Sequence, residues 1–277
     1  MTQPVDPGPM PGSLLLAGAG KMGGAMLDGW LRAGLQDGAA SVVDPHPSEA
    51  VLALAGAGRI RLNPTRAAPA EVLVLGIKPQ TLAEAALALA AHAGPETLAL
   101  SIMAGKTIAD IRRALPGIRA VVRTIPNLPA SIGRGATGAF ANSETSGSQR
   151  AMADRLLACN GVVEWVDDEG LIDAVTALSG SGPAYIFHLV EAMAEAGAAA
   201  GLPVDLSARL ARATVTGAAA LLEASPLPPA TLRQNVTSKG GTTAAALEIL
   251  MDSQSGMAPL FRRAVAAAKR RAGELSG

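Results

Sequence analysis

Large aromatic rings are almost missing from this chain: two Trp, three Phe and one Tyr, Tyr185, stand among 277 residues. Aromatic side chains usually dominate core burial, so this core must close through Ala and Gly contacts between helices and through aliphatic side chains. Cysteine is reduced to one, Cys159. A single thiol cannot form an intrachain disulfide, which excludes a stapled secreted scaffold and fits a reducing compartment. Cys159 lies in an apolar helical pattern and reads as a buried structural thiol. No charge of either sign is in excess, since Lys+Arg and Asp+Glu both total 23. That balance offers no footprint for nucleic acid or for an anionic membrane. No apolar run is long enough to cross a bilayer, and the first residues lack the basic start and apolar centre of a secretory signal. A cytoplasmic location is expected. The three histidines, His46, His92 and His188, have no metal-ligand spacing with Cys or carboxylates, so no metal is expected. Neither a Walker A loop nor a nucleophile elbow is present.

What is present is an alternation of short apolar runs with helical patterns. Residues 1–12 carry four prolines and read as a disordered arm. Strands are expected at 13–17, 40–43, 60–62, 71–77, 98–103 and 120–123, with helices between most of them. Thr107 with Asp110 looks like a capping box. This order predicts a parallel sheet with helices on both faces. After residue 170 no strand is expected. Helices are predicted at 185–200, 205–224, 242–251 and 258–275, separated by breaks at 201–203 and 225–229. The reading is a dinucleotide-binding α/β domain at 13–166 and an all-helical domain at 167–277.

The first chemical motif is Gly18-Ala19-Gly20-Lys21-Met22-Gly23, after a strand and before a helix. In such a turn one Gly makes the bend, one lets the backbone near a pyrophosphate and one lets helix and strand pack. Asp44 lies 21 residues past Gly23, at the end of the second strand. A carboxylate there would hold ribose hydroxyls and would repel a 2′-phosphate, or it simply ends a strand before Pro45. Arg59 and Arg61 are the nearest later cations, and the choice between NAD and NADP stays open. Ile77-Lys78-Pro79 and Ala104-Gly105 follow later strands, at the sheet edge where ligands of open α/β sheets bind. Lys78 reads either as a cofactor contact or as a solvated lysine. Asn127, between Pro126 and Pro129, is either an orienting residue or a turn residue. The run at 179–183, Ser-Gly-Ser-Gly-Pro, is either a ligand contact or a helix kink.

The second motif spans 236–247 and holds Ser238, Lys239, Gly240, Gly241, Thr242 and Thr243 ahead of an Ala-rich helix. A helix start with free N–H groups and a Gly pair can hold a small anion such as a carboxylate. An ordinary capped start fits the same residues.

Together these motifs resemble the pyrroline-5-carboxylate reductase family, whose members make L-proline. The resemblance rests on the glycine turn, on Ile77-Lys78-Pro79-Gln80, on residues 101–105, on Val122-Arg123 with residues 126–130, on 179–185, and above all on 236–247. It covers nearly the whole chain, and it adds Asn63 as a cofactor contact. Three positions depart from the family pattern: Lys239 stands for a usual Pro, Leu128 for a Thr, and Lys106 for an Ile. The resemblance implies a Rossmann domain followed by a helical dimerisation domain, in a homodimer or a higher assembly of dimers. It implies NADP or NAD as cofactor, held by the glycine turn, Asp44, Asn63, Ile77, Lys78, Pro79, Ala104 and Gly105. It implies pyrroline-5-carboxylate as substrate and proline as product, in the last step of proline biosynthesis. Ser238, Gly240, Gly241, Thr242 and Thr243 would hold the substrate, with Thr243 the catalytic candidate. Two other readings remain: a reductase of another cyclic imine or of a hydroxyacid, and a non-catalytic NAD(P) sensor. The absence of Lys between residues 179 and 191 argues against a hydroxyacid enzyme of the 6-phosphogluconate type.

Overall fold

The computed structural model describes residues 9–65 and 68–276. The expected disordered arm lies outside the described residues as far as residue 8. Of its remainder, Met10 packs against the core and the Gly12 N–H donates to Glu71 Oε2 at 2.9 Å.

The chain forms two compact units. The first comprises the residues up to Ser181 together with those from Ala268 onward; the second is Gly182–Ala267. The first thus extends past the division expected at 166, because the turns after that point pack onto the sheet, as described below. In chain order it runs β1 (Leu14–Ala17), α1 (Lys21–Arg32), β2 (Ala40–Val43), α2 (Glu49–Gly56), β3 (Ile60–Leu62), β4 (Val72–Leu75), α3 (Leu82–Ala90), β5 (Leu98–Ser101), α4 (Ile108–Ala114), β6 (Val121–Ile125), β7 (Gly135–Ala141), α5 (Gly147–Ala158), β8 (Gly161–Trp165) and α6 (Ile172–Val175). The sheet order is β3-β2-β1-β4-β5-β6-β7-β8.

Strands β1 and β4 are wholly apolar, β5 is apolar up to its final Ser101, and every residue in the three is buried. Strand alternation sends their side chains to two separate cores. Leu14, Leu16, Val72, Val74, Leu98 and Leu100 meet Met26, Leu27 and Trp30 of α1 and Leu156 of α5. Leu15, Ala17, Leu73, Leu75 and Ala99 meet Leu82 and Leu89 of α3 and Ile111 of α4. Trp30 is fully buried, and its indole N–H donates to the Leu156 carbonyl at 2.8 Å. The capping box at Thr107 and Asp110 forms with both bonds present.

The sheet is not wholly parallel, as the alternation had suggested. Strand β7 pairs antiparallel with β6, and β8 pairs parallel with β7. Between β6 and β7 there is only the 3-10 turn Leu128–Ile132, too short for the crossover that a parallel neighbour requires. Neither β7 nor β8 was anticipated. Cys159 caps α5 and is half-buried rather than buried; its thiol donates to the Arg155 carbonyl, and burial pushes its pKa up.

The second unit contains α7 (Gly182–Ala199), α8 (Val204–Ala224), α9 (Pro229–Asn235), α10 (Thr242–Leu250) and the first part of α11 (Met257–Ser276). Helix α9 begins at the last residue of the break expected at 225–229 and fills a stretch for which no element was predicted. Pro229 sits in its first turn, where a missing N–H costs nothing. Helices α7, α9 and α10 bury no residue, and α8 buries only Ser207 and Ala211. Tyr185 meets Phe261 edge to face, with ring centroids 6.2 Å apart.

Candidate functional site

The residues expected to hold a dinucleotide gather at one edge of the first unit. Gly18, Ala19, Gly20, Lys21, Met22 and Gly23 follow β1, Asp44 follows β2, and Asn63 follows β3. Ile77, Lys78 and Pro79 follow β4, and Ala104 and Gly105 follow β5. All sit at the carboxyl ends of neighbouring parallel strands, the edge where this architecture leaves a crevice.

The glycine turn has the space that a phosphate needs. Gly18 takes φ +86°, and a Cβ there would stand 2.7 Å from the Gly76 carbonyl, so no other residue fits. A Cβ on Gly20, by contrast, would find no atom within 4 Å. Helix α1 begins directly behind Gly20 with no side-chain cap and no acidic residue in its first turn. Its first N–H groups therefore present an uncapped positive end to that open space. The residues present thus fit a dinucleotide pyrophosphate. A cleft of about 820 Å³ beside the turn runs between α1 and α2, with Lys21, His46 and Ser48 on its walls.

Asp44 does more than end a strand. Its Oδ2 accepts the Ala19 N–H at 2.8 Å, and its Oδ1 accepts the His46 N–H at 2.8 Å. The carboxylate thus braces the glycine turn while keeping lone pairs for further donors. Asn63 in turn grips the Asp44 backbone, accepting its N–H and donating to its carbonyl, both at 2.9 Å. Asn63 adopts φ +45°, the one positive value outside glycine among the described residues. Lys78 is exposed, and its carbonyl accepts from the Thr81 N–H and hydroxyl.

Asn127 is consumed by the protein. Its amide donates to the Ser179 carbonyl at 3.0 Å and accepts the Ala136 N–H at 2.9 Å. It ties the end of β6 to the start of β7 and to the 176–180 turn. That turn, a π-helical one at Thr176–Gly180, leads from α6 to α7, so the Ser-Gly run does begin in a helix irregularity, a geometry that is compatible with a ligand contact as well. One buried cluster was not anticipated. Arg123, only 3% exposed, pairs with Glu169 Oε1 at 3.1 Å and Asp173 Oδ1 at 3.5 Å. Its partners lie 46 and 50 residues along the chain, so no local pattern announces them.

The substrate candidates belong to the second unit. Residues 238–241 form a tight turn, with the Gly241 N–H donating to the Ser238 carbonyl at 3.1 Å and Gly240 at φ +71°. Gly241 then serves as the N-cap of α10, and no side chain caps that helix. Thr242 and Thr243 are its first two residues, and the first in-helix donor is Ala245 N–H. The Thr243 hydroxyl is therefore not a capping group. A side chain at Gly241 would collide with the Ser238 hydroxyl. Lys239 lies exposed at the tip of the turn.

Two family models match the chain: one described as pyrroline-5-carboxylate reductase dimerisation over residues 169–275, and one described as NADP oxidoreductase, coenzyme F420-dependent, over residues 14–105. The pyrroline-5-carboxylate reductase of Pseudomonas aeruginosa is 40% identical over 261 residues, which is 94% of this chain and 95% of that protein. The chain belongs to the pyrroline-5-carboxylate reductase family. Among solved structures of the family, the reductase of Coxiella burnetii matches with TM-score 0.87 at 33% identity, covering 96% of this chain and 99% of that one. A Plasmodium falciparum pyrroline carboxylate reductase, solved with NADP bound, shares the fold with TM-score 0.78 at 23% identity, covering 97% and 100%. The family's N-terminal Rossmann-like sheet and C-terminal helical dimerisation domain are both present here.

Proposed function

We propose that this chain reduces L-1-pyrroline-5-carboxylate to L-proline, closing proline biosynthesis, with NADPH or NADH as reductant. The observation that carries the reading is a pair of uncapped helix starts, each behind a glycine turn: α1 for a pyrophosphate and α10 for a carboxylate. When bound, the reduced nicotinamide supplies hydride to the C5 carbon of the cyclic imine. The protein's task is then to orient the imine and to let its nitrogen carry a proton.

The glycine turn and the N–H groups of Lys21, Met22 and Gly23 hold the pyrophosphate. Asp44 and Asn63 shape the ribose end, while Ile77, Lys78, Pro79, Ala104 and Gly105 line the nicotinamide side. Ser238, Gly240, Gly241, Thr242 and Thr243 receive the substrate, their N–H groups bonding its carboxylate. The Thr243 hydroxyl, unused in capping, bonds the ring nitrogen directly or through a water. The helical domain, taken from about residue 167, pairs with that of a second subunit, and such dimers assemble further. Cys159, as a lone thiol, suits the cytoplasm. No helix is long and apolar enough to cross a membrane among the described residues.

The test is oxidation of NADPH and of NADH with pyrroline-5-carboxylate, run beside other cyclic imines and ketoacids. Rapid oxidation with pyrroline-5-carboxylate alone is expected. Preference for another imine would move the assignment within imine reductases, and tight cofactor binding without turnover on any substrate would make the chain a sensor.

A further inference from the structure

We propose that the last turn of α11, residues 273–275, is a positioning element of the cofactor edge: it seats on the Ala104-Gly105 turn and sets where that turn stands toward the nicotinamide half of a dinucleotide. The proposal rests on the reading of Ala104 and Gly105 as cofactor contacts and adds a support to it.

The first observation is a close backbone approach within the first unit. Gly105 takes φ +71°, and a Cβ there would stand 2.8 Å from the Leu275 carbonyl oxygen and 3.2 Å from the Leu275 Cβ. The backbone of α11 therefore rests on the turn with no side chain between them. Gly105 answers two demands at once, a left-handed conformation and a tight neighbour.

The second observation is that the far side of the same loop is also pinned. Glu169 Oε1 accepts the N–H of Ile108, the first residue of α4, at 2.8 Å, and it receives Arg123 at 3.1 Å. The other arm of Arg123 reaches Asp173. Asp173 stands beside the same turn of α11, for a Cβ on Gly273 would lie 3.7 Å from its Oδ2. Ala272 is buried there. The loop between β5 and α4 is thus held at Gly105 by Leu275 and at Ile108 by Glu169, and the Arg123 cluster joins the two supports. They act through the turn, by removing conformations it would otherwise have to give up on binding.

The experiment compares the full chain with one shortened after Ala272, each carrying either Gly105 or Gly105→Ala. Dissociation constants for NADPH and NADH are read by nicotinamide fluorescence, alongside melting temperature and the steady-state constants. The shortened chain should bind dinucleotide more weakly, on the order of tenfold, with KM for the dinucleotide rising more than kcat falls. Gly105→Ala should weaken binding in the full chain and cost less in the shortened one, because the carbonyl it strikes is gone. Equal affinity in the full and shortened chains, or an equal cost of Gly105→Ala in both, overturns the proposal. If the shortened chain does not fold, full-length Glu169→Ala and Glu169→Gln decide it. Gln keeps an acceptor for Ile108, so it should restore affinity that Ala loses; matching affinities in the two overturn the proposal. A full chain that binds neither dinucleotide overturns the assigned function and this inference together, whereas normal binding in both lengths removes this inference alone.

Discussion

Strands β1, β4 and β5 hide every residue they contain, whereas α7, α9 and α10 hide none. The two units to which these elements belong are similarly rich in apolar residues, so overall composition does not explain the difference. The α/β unit folds its apolar residues against each other in two cores, one per sheet face. The helical unit leaves Phe187, Leu210, Leu221, Ile249 and Leu260 facing outward. Such broad exposed apolar surface on regular helices marks an interface rather than a solvent face. The helical region is also the one that matches a family model described as pyrroline-5-carboxylate reductase dimerisation, and its exposed apolar faces suit such pairing.

The sharpest way to break this contrast is a charge on the helical surface. Phe187→Glu would matter little if the position faced water, within about 0.5 kcal/mol. Against a partner subunit it buries an unpaired carboxylate, and a loss of roughly 3–5 kcal/mol is expected. Sedimentation should then show monomers, and the dependence of melting temperature on protein concentration expected of a dimer should disappear. An unchanged dimer would mean that Phe187 lies outside the interface.

The matching change in the α/β unit is Gly18→Ala. It forces a Cβ to within 2.7 Å of the Gly76 carbonyl and into φ +86°. Strain and overpacking together should cost roughly 2–4 kcal/mol. Here the loss should be independent of concentration and should appear as weak dinucleotide binding in calorimetry.

Thr243→Val asks whether the helical region also carries chemistry. The hydroxyl takes no part in capping α10, so stability should hold. Turnover should fall about a hundredfold if it serves the ring nitrogen. Near wild-type turnover would return Thr243 to an ordinary helix position.

The smallest effect concerns acid. Burial by itself raises the Asp110 carboxyl, but bonds from the Thr107 hydroxyl and amide and from Arg113 outweigh it and hold the pKa below its ordinary value. The stability it adds is complete above the ordinary Asp pKa of about 3.9 and is lost as pH falls through the depressed folded value. Asp110→Asn should flatten that acid limb of a melting-temperature profile by under about 1 kcal/mol. An identical profile would show that the capping box contributes nothing through charge.

Legibility followed locality. The glycine turn, the apolar strands and the Thr107 box could be read because neighbours in sequence make each of them. Strand β7 escaped notice because Gly135-Ala136-Thr137-Gly138-Ala139 is mostly Gly and Ala, with Thr137 alone branched, and because its antiparallel course has no helix before it; β8, Gly161–Trp165, carries Val162, Val163 and Trp165 and was missed although it follows a helix. The Arg123 cluster was hidden for another reason, its partners being brought in only by the fold. At Asn127 the residue was noticed but its work was not, since a turn residue and a brace look alike until Ala136 and Ser179 come near. In the site, Asp44 and Asn63 were picked out individually, but their bonding to each other and to Ala19 needed coordinates.

The membership of residues 268–276 in the first unit has a consequence for synthesis. A ribosome releases the sheet early, yet the segment that packs beside Gly105 and Asp173 emerges only after the whole helical unit. The α/β unit therefore waits, incomplete, while the exposed apolar helices are being made. Domains that are continuous in sequence can finish folding one at a time as they leave the tunnel. This one is discontinuous in sequence, so its last segment and the exposed apolar helices leave the ribosome at nearly the same time.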